Sequence, residues 1–156
     1  MPSIEIVAIG QSRPIAVDGF PFPVVADEKL KSHRSPRARF QGDFDRLAGV
    51  MYHLGNPSLR DDSAGRCFFA YDLLSERSKE VEADFLEFAP AFRSAVETML
   101  AKLVADSPAK ALVFTSDWQF GPDWTKREPA LSLSEFWKLH DSRRLLLNAL
   151  YPIKGR

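Results

Sequence analysis

Residues 90–116 read Pro-Ala-Phe-Arg-Ser-Ala-Val-Glu-Thr-Met-Leu-Ala-Lys-Leu-Val-Ala-Asp-Ser-Pro-Ala-Lys-Ala-Leu-Val-Phe-Thr-Ser. Two periodicities meet here. Phe92, Val96, Met99, Leu100 and Leu103 recur at i, i+4, i+7, i+8 and i+11, which is one face of a helix over 90–105. Pro90 suits the first turn, where its missing N–H costs no hydrogen bond, and Ser107-Pro108 ends the element. Residues 110–116 follow as a short apolar run and predict a buried strand. A long helix and a strand joined by a short turn, with no regular βαβ spacing elsewhere, put the chain in the α+β class.

Working outward toward the N-terminus, Val81, Phe85 and Phe88 can extend the helical face. They can equally form a strand with Glu82 and Asp84 facing water, and the Glu, Ala and Leu content of the segment favours helix. Residues 66–74 predict a strand. Residues 43–54 are ambiguous: Phe44, Leu47, Val50, Met51 and Leu54 have helical spacing and Asp43 is a plausible cap, but Gly49 weakens a helix by about 1 kcal/mol. Residues 29–39 are the most polar stretch and predict a mobile basic loop near 29–42. Phe20-Pro21-Phe22-Pro23 is a stiff extended entry to a short edge strand at Val24, Val25 and Ala26. Residues 3–9, Ser-Ile-Glu-Ile-Val-Ala-Ile, predict a strand that stops at Gly10.

Toward the C-terminus, a loop rich in Trp, Gly and Pro follows residue 116. Ser132-Leu-Ser-Glu135 has capping-box spacing and opens a short helix through Phe136, Trp137 and Leu139. Residues 144–153 predict a last strand, which Pro152 places near an edge. The expected architecture is a mainly antiparallel sheet of about five strands packed against two to four helices, in a single domain over 1–156.

Bulk composition bounds the function. The 21 Lys and Arg match the 21 Asp and Glu, which argues against a dedicated DNA-binding domain and against a disordered chain. The lone Cys67 allows no internal disulfide and lies in the apolar run Cys67-Phe68-Phe69, where it reads as a small buried hydrophobe. No secretory leader or membrane-length apolar stretch is visible, so a cytoplasmic location is expected.

The chain carries no P-loop, Gly-x-Gly-x-x-Gly, His-Glu-x-x-His, Cys-x-x-Cys or Gly-x-Ser-x-Gly. No catalytic, cofactor or metal residue is assigned, and no cofactor is expected. His33, His53 and His140 are far apart. His140 beside Asp141 reads as a cation at the negative end of a short helix, and His53 before Leu54-Gly55 reads the same way. The pairs Asp43/Asp45 and Asp61/Asp62 have no repeat or metal-loop context, and Asp61-Asp62-Ser63-Ala64-Gly65 reads as turn chemistry. Lys29, Lys31, Arg34, Arg37 and Arg39 form a basic run, but acids flank it and no aromatics interleave it, as base stacking would require. It fits a solvated loop first and an acidic protein surface second.

Phe114-Thr-Ser-Asp117-Trp118-Gln-Phe120-Gly-Pro-Asp-Trp124 is the most informative segment. Large aromatics on a loop either pack back as a lid on the core or anchor a partner. Asp117, Trp118, Phe120 and Trp124, with Arg34 and Arg37, are the candidate partner-binding residues.

The block from Phe114 to Thr125, with Leu133-Ser-Glu-Phe-Trp-Lys-Leu-His-Asp and Leu147-Asn-Ala-Leu-Tyr-Pro-Ile, resembles small bacterial α+β proteins, some of which are cytoplasmic immunity proteins of polymorphic toxin systems. The resemblance covers about 45 residues and carries over no functional residue. It implies a non-enzymatic protein that covers the surface of a cognate toxin. The leading expectation is therefore a protein-binding immunity or adaptor domain. The alternative is a small hydrolase or transferase built from His53 or His140 with Asp117, Asp123 or Asp141. Nucleic-acid binding through 29–39 is weaker. A homodimer through the terminal strand is conceivable, though Pro152 and Lys154 oppose it.

Overall fold

The computed structural model describes residues 3–17, 19–27, 49–55, 70–80, 82–106, 111–117, 125–126, 129–147 and 149–154. Its sheet contains β1 (Ser3–Ile9), β2 (Val24–Asp27), β3 (Gly49–Leu54), β4 (Ala111–Asp117), β5 (Thr125–Lys126) and β6 (Ala149–Ile153). The spatial order is β2-β3-β1-β4-β6-β5. Every neighbouring pair is antiparallel except β5 with β6. Two α-helices are described, α1 (Pro90–Asp106) and α2 (Leu133–Asp141). The chain is thus α+β, with a mainly antiparallel sheet of six described strands where about five were expected.

β1 lies at the centre, paired with β3 from Ile4↔Leu54 to Ile9↔Gly49 and with β4 from Ser3↔Asp117 to Ile9↔Ala111. Both of its faces are buried. Ile4, Ile6 and Ala8 share the main core with Val50, Tyr52 and Leu54 of β3, Leu112 of β4, and Ala149, Tyr151 and Ile153 of β6. On that face lie Val96, Met99, Leu100 and Leu103 of α1, and Phe136 and Trp137 of α2. The alternate residues Glu5, Val7 and Ile9 face the other way and are buried too, with Met51 and Leu150. Burial of both faces is why 3–9 is nearly all apolar instead of alternating.

α1 forms as its periodicity predicts, and Val96, Met99 and Leu100 are fully buried. In α2 the Ser132 side chain caps the helix by accepting from the Glu135 amide at 3.1 Å. After Asp141 the helix closes with Arg143 N–H donating to the His140 carbonyl and Arg144 N–H to the Leu139 carbonyl. This is a Schellman closure, which puts Arg143 at φ 58 where glycine is the usual residue.

Several expectations change. The segment 79–89 is not helical. It begins as turns through residue 80 and at residue 82 and continues over 83–89 as an extended strap, with Leu86 and Phe88 buried, Glu82 and Asp84 exposed, and single bridges Leu74↔Phe88 and Phe85↔Leu146. Pro90 disfavours helical geometry at Ala89, and the bonds from the Leu86 amide to the Leu145 carbonyl and from the Ala89 amide to the Leu73 carbonyl hold the strap extended. Ala70–Leu73 is a 3-10 turn where a strand was expected, and 66–69 lie outside the described residues. The helical spacing at 50–54 misleads: these residues form β3, buried on both faces. β6 is not at the edge, since β5 and the Leu131↔Ile153 bridge lie on its outer side. The basic loop near 29–42 lies outside the described residues, as do Cys67 and the pairs Asp43/Asp45 and Asp61/Asp62.

Tyr52 ties the segment after β1 to the core. Its buried hydroxyl donates to Gln11 Oε1 and accepts the Ile15 amide at 3.0 Å. Burial pushes the phenol up from its ordinary value, against the lowering effect of both hydrogen bonds. Tyr52→Phe is expected to cost about 1–3 kcal/mol in urea unfolding and to speed amide exchange at Ile15. Leu100→Ala, which leaves a cavity in the core, is expected to cost about 2–5 kcal/mol.

Candidate functional site

Two histidine–carboxylate pairs are present, and they sit in different chemical settings. The first is on α2. His140 is buried, stacked on the Phe88 ring at 5.5 Å between centroids and edge-on to Trp137. Its Nε2 accepts the Phe88 amide at 3.0 Å, and its Nδ1 lies 2.9 Å from Asp141 Oδ1. An Nε2 that accepts carries no proton, so the proton sits on Nδ1 and is donated to Asp141. Adjacent residues on a helix point about 100° apart, yet these two pair at the last turn. His140 lies in the last turn of the helix as expected, but it is buried and bonded to the strap. Both ring nitrogens are committed, one of them to the backbone of the strap, so the imidazole acts as a fastener with no lone pair left to take a substrate proton.

Around it, the Arg93 guanidinium lies 4.4 Å over the Trp137 ring and bonds Asp141 Oδ2 at 3.0 Å as well as Glu97. The hydrogen bond from His140 first, then the Arg93 charge, hold the Asp141 carboxyl below the ordinary Asp range despite some desolvation. On the strap, burial alone would raise the Glu87 carboxyl. A Ser75 hydrogen bond and the charges of Arg77 and Arg143, at 3.2 and 3.5 Å, outweigh it and lower it.

The second pair lies on the sheet face away from the main core. Glu5 of β1 and His53 of β3 are register partners, with His53 Nδ1 3.4 Å from Glu5 Oε1. The Glu5 side chain is only 6% exposed, and its Oε2 is buried with no hydrogen-bond partner. A buried carboxylate without full pairing is costly, which sets this pair apart from the satisfied His140 site. His53 was expected at a helix end and lies on a central strand instead.

The expected residues are placed unevenly. Asp117 ends β4 opposite Ser3, and Thr115 is the register partner of Glu5. Residues directly paired across strands share a face, as do residues two apart on one strand, so positions 5, 53, 115 and 117 lie on one side of the sheet. Asp117 and His53, both considered for a dispersed site, are thereby brought to the same face. Glu5 was missed. Trp118, Phe120, Asp123, Trp124, Arg34, Arg37 and His33 lie outside the described residues.

Among the described residues, no helix is long and apolar enough to cross a membrane, and no three His, Cys, Asp or Glu side chains are grouped closely enough to hold a metal. Comparison of the chain with protein-family models, with curated proteins and with solved structures gives no match in any of the three.

His140→Phe keeps an aromatic against Phe88 but removes the acceptor for its amide, and is expected to cost about 1–3 kcal/mol in urea unfolding. The Asp141 contribution depends on pH. A carboxyl lowered in the folded state stabilises it above the unfolded Asp value of about 3.9, and the gain is lost as pH falls through the lowered folded value. The stability gap between wild type and Asp141→Asn should therefore be constant near neutrality and close below about pH 4. A gap that widens on acidification would contradict the pairing.

Proposed function

We propose that this chain is a non-enzymatic protein-binding domain of the immunity or adaptor kind, which acts by covering a partner's surface, with a cognate toxin as the leading class of partner. The observation that carries the reading is the way the strap from Ser75 to Ala89 is held. Ser75 N–H donates to the Glu87 carbonyl at 2.8 Å, Leu86 N–H to the Leu145 carbonyl at 2.6 Å, and Ala89 N–H to the Leu73 carbonyl at 2.7 Å. The Ser78 hydroxyl donates to the Phe85 carbonyl at 2.9 Å. On this fastened backbone Glu76, Glu80, Glu82 and Asp84 are exposed, and Tyr71 beside it is 38% exposed with Lys79 over its ring. A charged surface that is already ordered loses little entropy on binding, and it sets partner choice and encounter rate more than it serves catalysis. The partner this favours is cationic.

A second reading, a small hydrolase or transferase with a dispersed site, draws support from the placement of Glu5, His53 and Asp117 on one sheet face. It requires His53→Ala to abolish turnover of some substrate while the fold persists.

The test of the binding reading is co-purification from the native cell with a co-produced partner, followed by association kinetics. Reversing the strap with Glu80→Lys and Glu82→Lys should slow association by about tenfold or more at low salt and flatten its salt dependence, with the melting temperature unchanged. Trp118→Ala and Trp124→Ala should weaken the complex without unfolding the domain. If they lower stability and leave affinity intact, the two tryptophans cover the core and the aromatic anchor is wrong.

A further inference from the structure

We propose that His140 is a proton-operated latch: when its imidazole takes a second proton, the strap is released at Phe88, so acidification loosens this segment while the sheet and α1 stay folded. Three observations carry it. The first is where the ring can take that proton. Nδ1 lies 2.9 Å from Asp141 Oδ1, and Nε2 accepts the Phe88 amide at 3.0 Å. With Nδ1 already protonated, a further proton can enter only at Nε2. There it sets one N–H donor against another, and the bond to Phe88 is lost. The bond to Asp141 survives as an ion pair, so one proton breaks one contact of the ring and strengthens the other.

The second is burial on a weakly fastened segment. His140 is 4% exposed, and the Phe88 ring stacked on it is 2% exposed. An amide buried there cannot go without an acceptor cheaply, so the strap must open for water to replace the lost partner. Its other ties are isolated points: the bridges Leu74↔Phe88 and Phe85↔Leu146, and single bonds to the Leu145 and Leu73 carbonyls. A segment without a full ladder opens locally at less cost than a central strand.

The third is the charge around the ring. Asp141 touches it from its own helix, where Lys138 is exposed. From α1, Arg93 bonds Asp141 and Glu97. On the strap, Glu87 precedes Phe88 and pairs with Arg77 and Arg143. The Asp141 and Glu87 carboxyls are both held below their ordinary ranges, so both stay ionised across about pH 5–8, where histidines change charge. Acidification in that window therefore acts on the imidazole and leaves these ion pairs standing. Glu82 and Asp84 ride on the strap, so its release also unfixes exposed acids; this last consequence rests on the binding reading above.

The experiment uses the full chain without a partner, so the latch and the binding reading can fail separately. Amide hydrogen exchange is followed by NMR from about pH 7.5 to about pH 5.5, across the usual histidine range, with each rate corrected for the intrinsic pH dependence of exchange. The Phe88 and Leu86 amides should lose protection by about tenfold per pH unit once the ring titrates, as linkage to one proton requires, while Val96 and Met99 of α1 keep theirs. The His140 Nε2 resonance should move to its protonated position over the same range. His140→Gln, which cannot titrate, should leave Phe88 protection level with pH. Level protection at Phe88 in the wild type overturns the proposal, whatever the ring resonance does. So does a parallel loss in α1, which is global acid unfolding, and so does a loss that persists in folded His140→Gln. The wild-type resonance decides without any variant: protection that falls while Nε2 stays unprotonated overturns the latch.

Discussion

The structure depends on burying β1 from both sides. Its neighbours β3 and β4 pair with it along nearly its whole length, and this sandwiching sets the rest of the architecture. Side chains alternate with a period of two, so a slip of one residue against β3 or β4 would carry Glu5 into the core and move Ile4 and Ile6 out of it. One register alone therefore suits the apolar set on the helix side. The opposite face must then accept Glu5 among Val7, Ile9, Met51 and Leu150, with His53 directly across from it. The acid–imidazole pair is a consequence of fixing β1, and it falls where desolvation makes an unpaired oxygen most costly.

A second coupling joins the strap to the helices. The Phe88 amide would be a buried donor on an extended segment with no full strand beside it. His140 Nε2 supplies its acceptor from 52 residues further along the chain. Asp141 holds the ring's tautomer through Nδ1, and Arg93 holds Asp141 from α1. One chain of contacts thus runs from α1 through α2 to the strap. It gives Phe88 and Leu86 fixed places in the core and leaves Glu82 and Asp84 at fixed places outside it.

How far the sequence discloses this depends on the range of the forces involved. α1 is legible because five apolar residues repeat on one helical face, and β1 because a run of seven residues is nearly all apolar. The Ser132 cap is legible because its donor lies three residues away. The strap is misread because its composition favours helix while Pro90, one residue past its end, and bonds to Leu145 and Leu73 favour extension. Residues 50–54 satisfy a helical pattern by chance, since a strand buried on both faces has no polar side to betray its period. Neither histidine pair could be read from spacing. Glu5 and His53 meet only through sheet register, and the role of His140 needs Phe88. Glu5 did leave one trace, as the only ionisable residue in the apolar run of β1.

The equality of cations and anions takes on a different meaning at this level. Charges divide by whether they are held. Glu87, Asp141 and Arg93 are engaged in ion pairs that fasten elements together, and the lowered Glu87 and Asp141 carboxyls record it. Glu80, Glu82 and Asp84 are exposed on a backbone those same contacts immobilise. A neutral chain can therefore present a locally acidic, ordered stretch, because some of its positive charges are engaged in ion pairs. Arg77 and Arg143 turn toward Glu87, and Arg93 turns toward Asp141 and Glu97. The field over Glu80 to Asp84 is thus set by how the arginines are spent, and net charge conceals it.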